Sequence, residues 1–146
     1  MRFARLPGRD DREAAVLLRH DLVAPITQIL GYCELLIDDA EEKGRVYRSQ
    51  SLRSIRALGK QVLAAIDRVL LGPADLGLPG DLAALVPTIL IPIRAISEAC
   101  NALEDASSVV PDRGDFLVDL ARIREAASAL TAMVRQASVT PASSPG

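Results

Sequence analysis

What the chain has little of narrows its class first. It contains no tryptophan, two phenylalanines and two tyrosines, so aromatics make up 3% of the sequence. A β-sandwich core draws on β-branched and aromatic residues; a palette led by Ala and Leu favours helices packed through aliphatic side chains. The two cysteines, Cys33 and Cys100, lie far apart inside helical patterns, which indicates neither a zinc site nor a disulfide framework. Both thiols are expected to be reduced, in a cytoplasmic protein. There is no basic excess: the formal charge is −2 and the pI near 5.4, which gives no electrostatic grip on nucleic acid. The N-terminus, MRFARLPGRDDR, lacks the apolar run of a signal peptide. The longest apolar stretch, Leu82 to Ile93, is twelve residues, contains Pro87 and Pro92, and is too short to span a bilayer. Neither nucleic acid nor a membrane is expected as a partner.

What is present is a soluble, globular balance, 49% hydrophobic and 25% charged, over 146 residues. That length suits a single domain with one core. Four helical patterns are visible. The first runs from about Asp11 to Glu42, with Asp10 or Asp11 as N-cap, Gly44 near its end, and a stripe of Ala15, Leu18, Leu22, Ile26, Ile29, Cys33 and Leu36. The second spans about Ser49 to Leu71 on Leu52, Ile55, Leu58, Val62, Ile66 and Val69, and Gly72-Pro73 stops it. Residues 73–80 read as a linker. A third helix follows from Asp81, its N-cap, to about Ser107, with Leu85, Ile89, Ile93, Ile96, Cys100 and Leu103 on its stripe. Pro111 to Gly114 makes a turn, Asp115 caps a fourth helix ending near Gln136, and residues 138–146 read as a disordered tail. Long helices joined by short connections predict an all-α fold, an antiparallel four-helix bundle.

The halves also answer each other. With a shift of 67 residues, Pro25 meets Pro92, Ile26 meets Ile93, Ile29 meets Ile96, Cys33 meets Cys100, and Leu36 meets Leu103. A proline inside a helix costs about 3 kcal/mol, so its recurrence at one register is informative. With a shift of 68 the second helices agree: Ile55 with Ile123, Arg56 with Arg124, Val62 with Leu130, Ile66 with Val134. One amphipathic hairpin cannot bury its own stripe, and a second on the same chain completes the core. The bundle is therefore expected to be a single-chain pseudo-dimer, with hairpins at 10–72 and 81–137. The second is degenerate, since Pro87 and Thr88 replace His20 and Asp21.

His20 is the only histidine. At 100° per residue it faces away from Leu18 and Leu22 on the core stripe, so it is expected to be exposed, where a neutral imidazole is a competent nucleophile near pH 7. Ala24, Thr27 and Gly31 continue its face. They are small, and a mid-helix glycine costs about 1 kcal/mol relative to alanine. Close approach of another protein's helix would account for Gly31; a merely tolerated surface glycine is the other reading. In the second hairpin Pro87 and Ile91 make the equivalent face apolar, either a contact surface or a face buried under the N-terminal segment or linker.

These residues carry a family resemblance. Leu18-Arg19-His20-Asp21-Leu22-Val23-Ala24-Pro25-Ile26, followed by Ile29-Leu30-Gly31-Tyr32-Cys33-Glu34-Leu35-Leu36, resembles the H-box of the dimerisation and histidine-phosphotransfer domain of sensor histidine kinases. In that family the domain is a homodimeric four-helix bundle, which the duplicated hairpin would imitate. The resemblance implies that His20 takes a phosphoryl group on its imidazole and that Asp21 assists. It also implies a receiver domain of a response regulator as partner, and a histidine kinase as a further candidate. Arg19 would help to balance charge; Ala24, Thr27, Gln28, Gly31 and Arg56 would meet the receiver.

Two departures shape the expectation. From residue 72 onward nothing has the Asn-rich box or Gly-rich lid of the family's ATP-binding domain, so self-phosphorylation from ATP is not expected. Ala24 stands where phosphatase-active kinases carry Thr or Asn to orient a water, so phosphatase action is not expected either. A relay carrier survives both, similar to stand-alone relay phosphotransferases, which keep a vestigial ATP-binding domain. Such a carrier needs no cofactor or metal of its own, the receiver supplying its aspartate and Mg. The alternatives are a non-catalytic docking module that regulates a receiver or kinase by occupancy, and a plain structural bundle.

Overall fold

The computed structural model describes residues 9–70, 78–106 and 113–143. The described residues form four helices, α1 (Arg9–Glu42), α2 (Val46–Leu70), α3 (Leu78–Ala106) and α4 (Arg113–Ser143), and no strand. Each packs on two neighbours, α1 and α3 both lying against α2 and α4, so α1 faces α3 across one diagonal and α2 faces α4 across the other. The fold is an all-α four-helix bundle. Among the described residues no helix is long and apolar enough to cross a membrane.

The core is the set of stripes read along the chain. Leu22, Ile26, Ile29, Cys33 and Leu36 on α1 are buried, and so are their 67-residue equivalents Ile89, Ile93, Ile96, Cys100 and Leu103 on α3. On α2 and α4, Leu52, Ile55, Val62 and Ile66 are buried together with Leu120, Ile123, Leu130 and Val134, at a shift of 68. Pro25 and Pro92 are buried at one register inside unbroken helices. Polar ties repeat too. Arg56 donates from Nη1 to Glu34 at 3.1 Å, and its equivalent Arg124 donates from Nη1 to Asn101, the equivalent of Glu34, at 2.9 Å.

The equivalence ends in one place on the axis itself. Arg48 of α2 is 4% exposed, and its guanidinium lies 3.8 Å from the ring centroid of Phe116 on α4, its own 68-residue equivalent. A cation over an aromatic face is favourable, the more so when desolvated.

The α1–α2 connection is a Schellman motif. Gly44 takes φ +69°, the amide of Arg45 donates to the carbonyl of Ala40 at 2.8 Å, and that of Gly44 to Glu41 at 3.1 Å. Helix α2 then starts three residues before the expected Ser49, its first amide bond running from Ser49 to the carbonyl of Arg45.

The other helix starts also fall earlier than predicted. Asp10 and Asp11 lie inside α1, Asp81 inside α3 and Asp115 in the first turn of α4, so none is a cap. Leu78, Pro79 and Gly80, read as linker, belong to α3, and Arg113 and Gly114, read as turn, belong to α4. The reason is shared. First-turn amides have no partner within the helix, so a proline there forfeits nothing, and an acidic side chain there complements the helix dipole without capping. The expected tail is helical as far as Ser143, since no glycine intervenes before Gly146 and Pro141 sits only in the last turn. Residues 71–77, 107–112 and 144–146, with the remainder of the linker, turn and tail, lie outside the described residues.

One close approach was not legible as such. Gly59 on α2 is buried, and a Cβ there would stand 2.9 Å from Leu30 Cδ2 and 3.7 Å from Ile26 Cδ1. The equivalent registers hold Ser97, smaller than Leu30, and Ala127, larger than Gly59. Gly59→Leu is expected to destabilise the fold by about 1–3 kcal/mol through overpacking. Adding Leu30→Ala should recover a large share. Urea unfolding of the four-member cycle measures this, and strict additivity would show that Leu30 is not the obstacle.

Candidate functional site

His20 stands on the crest of α1 directly opposite the buried stripe, its side chain 84% exposed. Asp21 beside it is 69% exposed, with Oδ1 3.8 Å from His20 Nδ1. That separation is too long for a hydrogen bond.

The two flanks of α1 are turned to different helices. Toward α2, Arg19 donates from Nε to Asp67 Oδ1 at 2.7 Å, and Arg56 is tied to both oxygens of Glu34 at 3.1 and 3.2 Å. Both arginines were expected at the partner surface. In the fold they tie α1 to α2, Arg19 through Asp67 and Arg56 through Glu34. The interhelical carboxylates were invisible to a reading along one helix. Toward α4, the Tyr32 hydroxyl accepts from Arg122 Nη1 at 3.2 Å.

Between the flanks, Ala24, Thr27, Gln28 and Gly31 are all exposed. The small stripe is bracketed by Leu17 and Leu35, two exposed leucines overlooked in the sequence because neither belongs to the core period. The line from Leu17 through His20, Ala24 and Gly31 to Leu35 is about 27 Å long at 1.5 Å per residue. No atom outside the glycine's own helical surroundings comes within 4 Å of a Cβ built on Gly31, so nothing in the fold demands that glycine.

His20 also borders an open groove of about 420 Å³ between α1 and α4. Leu18, His20, Asp21 and Ala24 form one wall, and Met133, Gln136 and Ala137 the other. The α4 wall was not anticipated, because it lies more than a hundred residues along the chain from His20. A second groove of about 560 Å³, farther along α1 and α4, is lined by Leu35, Phe116, Lys43 and the carboxylates Asp39, Asp115 and Asp119. Among the described residues no group of three or more His, Cys, Asp or Glu is placed to hold a metal ion.

On the opposite side of the bundle, Pro87 and Thr88 are exposed where hairpin one has His20 and Asp21, and Ile91 is 71% exposed where it has Ala24. Cys33 and Cys100 are buried and free. Burial pushes both thiols up to about 12, and Cys100 adds to the effect at Cys33. Neither is a nucleophile near neutral pH.

Comparison with family models, curated proteins and solved structures returns no match to this chain.

Two outcomes are expected. Gly31→Ala should raise stability by about 0.5–1 kcal/mol, since it gains helix propensity and its methyl enters open space; a loss in thermal or urea unfolding would mean that the chain itself packs against Gly31. The thiols set a second. Between the unfolded value of 9.0 and the folded value of about 12, the unfolded chain releases protons that the fold retains. Their contribution is therefore full below pH 9 and falls as pH rises toward 12. Replacing both cysteines with alanine should flatten that decline in urea midpoints, and an unchanged slope would contradict the assignment.

Proposed function

We propose that this chain is a histidine phosphotransfer protein, carrying a phosphoryl group on His20 between receiver-domain aspartates. The observation that supports the reading most is the position of the single imidazole. It stands on the exposed crest of one helix, opposite the core, with a carboxylate on its Nδ1 side and small side chains along the helix below it. The H-box resemblance covers those same residues.

The chemistry asked of the carrier is modest, because phosphoryl transfer depends chiefly on alignment and charge stabilisation. Nε2 of neutral His20 attacks the phosphorus of an aspartyl phosphate in line. The P–N bond forms as the P–O bond breaks, and the receiver's carboxylate leaves with the electron pair. The Nδ1 proton of the resulting imidazolium passes to Asp21 or water. The reverse reaction returns the group to a second aspartate. The resemblance places the divalent cation on the receiver. Ala24, Thr27, Gln28 and Gly31 form a surface low enough for a helix of the receiver to approach, with Leu17 and Leu35 as apolar ends. Arg19 and Arg56 hold α1 against α2 beneath that surface.

The test is label transfer from radiolabelled phosphorylated receiver domains encoded in the same genome, comparing wild type with His20→Ala. An acid-labile label on the wild type and none on the variant is the expected result. Receivers that bind both proteins equally and transfer label to neither would replace the carrier with a docking module.

A further inference from the structure

The geometry points to a composite site, in which α4 of the degenerate hairpin supplies the second wall of the His20 groove and Gln136 contacts the phosphoryl group. This rests on His20 being the carrier. The first observation is the groove itself, whose two walls come from different hairpins: His20, Asp21 and Ala24 on α1, Met133 and Gln136 on α4. The active hairpin alone therefore leaves the histidine with an open flank.

The second observation is where the halves diverge. At the registers equivalent to His20, Asp21 and Ala24 the chain has Pro87, Thr88 and Ile91, and at those equivalent to Met133 and Gln136 it has Ala65 and Arg68. The exposed positions of both walls change together, while Leu85 repeats Leu18 and the core stripes on the same helices keep their register. On the α3 side a protruding Ile91 replaces the low Ala24. On the α2 side a fixed cation replaces a neutral amide. The chain thus has one phosphoryl site and not two.

The identity of Gln136 suits a carrier. A carboxamide offers N–H donors to phosphoryl oxygens without a net charge. An arginine there would form charge-assisted, bidentate bonds to a dianion and hold it, whereas a carrier must release its cargo. Glutamine at 136 and arginine at 68 have the distribution expected if only the α1–α4 side receives the group.

The experiment uses the full chain and phosphoramidate, a small donor that requires no protein partner. His20 Nε2 attacks its phosphorus, the P–N bond to the amino group breaks, and ammonia departs with the imidazole's proton. Loading is followed by ³¹P NMR for wild type, Gln136→Glu, Gln136→Lys and Arg68→Glu, all at exposed positions. One charge acting on a dianion through water changes a rate by about fivefold even across about 8 Å, and by more in contact, so fivefold is the least effect expected. Gln136→Glu should load at least about fivefold more slowly and Gln136→Lys faster, both effects shrinking with added salt, while Arg68→Glu loads as wild type. Equal rates for the wild type and both Gln136 variants would remove α4 from the site and leave the carrier standing. Loading of His20 that is slowed equally by Gln136→Glu and Arg68→Glu would also overturn it. A wild-type His20 that never loads would instead sink the proposed function.

Discussion

Everything in this molecule depends on a shared core that neither hairpin can close alone. Each hairpin presents one aliphatic stripe per helix, and only when the hairpins face each other do Leu22, Ile26 and Ile29 meet the Ile89, Ile93 and Ile96 set out of water. With few aromatics to fill volume, the interior is completed by many medium-sized aliphatic side chains in register. That requirement holds the core positions of both halves to one pattern and leaves their outer faces free to differ.

The outer faces have used that freedom. The α1–α4 side carries the lone imidazole, its neighbouring carboxylate and a low, small-residue crest. The α2–α3 side carries a proline, an exposed isoleucine and a fixed positive charge at the same registers. A bundle of two equal halves offers two identical sites by symmetry. Here the exposed histidine stands on one side only, in a groove whose far wall belongs to the half without one.

Much of this was legible in the sequence because a helix writes its environment at a period of 3.6. The buried stripes, the matching prolines and the exposure of His20 follow from counting positions. Helix starts did not, since the prolines, glycines and aspartates that signal a boundary are equally at home in a first turn, as Pro79, Gly80 and Asp115 show. The partners of Arg19 and Arg56 were hidden because Asp67 and Glu34 lie on other helices, and relative rotation of two helices is not encoded in either alone. Gly59 was hidden for the same reason: its explanation is the Leu30 side chain across the interface.

The stacked Arg48 and Phe116 bear on the history of such a molecule. Contact between equivalent positions occurs only on the axis that relates the halves, so in a dimer of identical hairpins this site holds two copies of one residue. Two arginines would repel there, whereas two phenylalanines would be tolerated. An arginine over a phenylalanine requires two halves of different sequence, and one chain carrying both supplies them. With it in place the half that carries Arg48 could not pair with its own twin without bringing two guanidinium groups together.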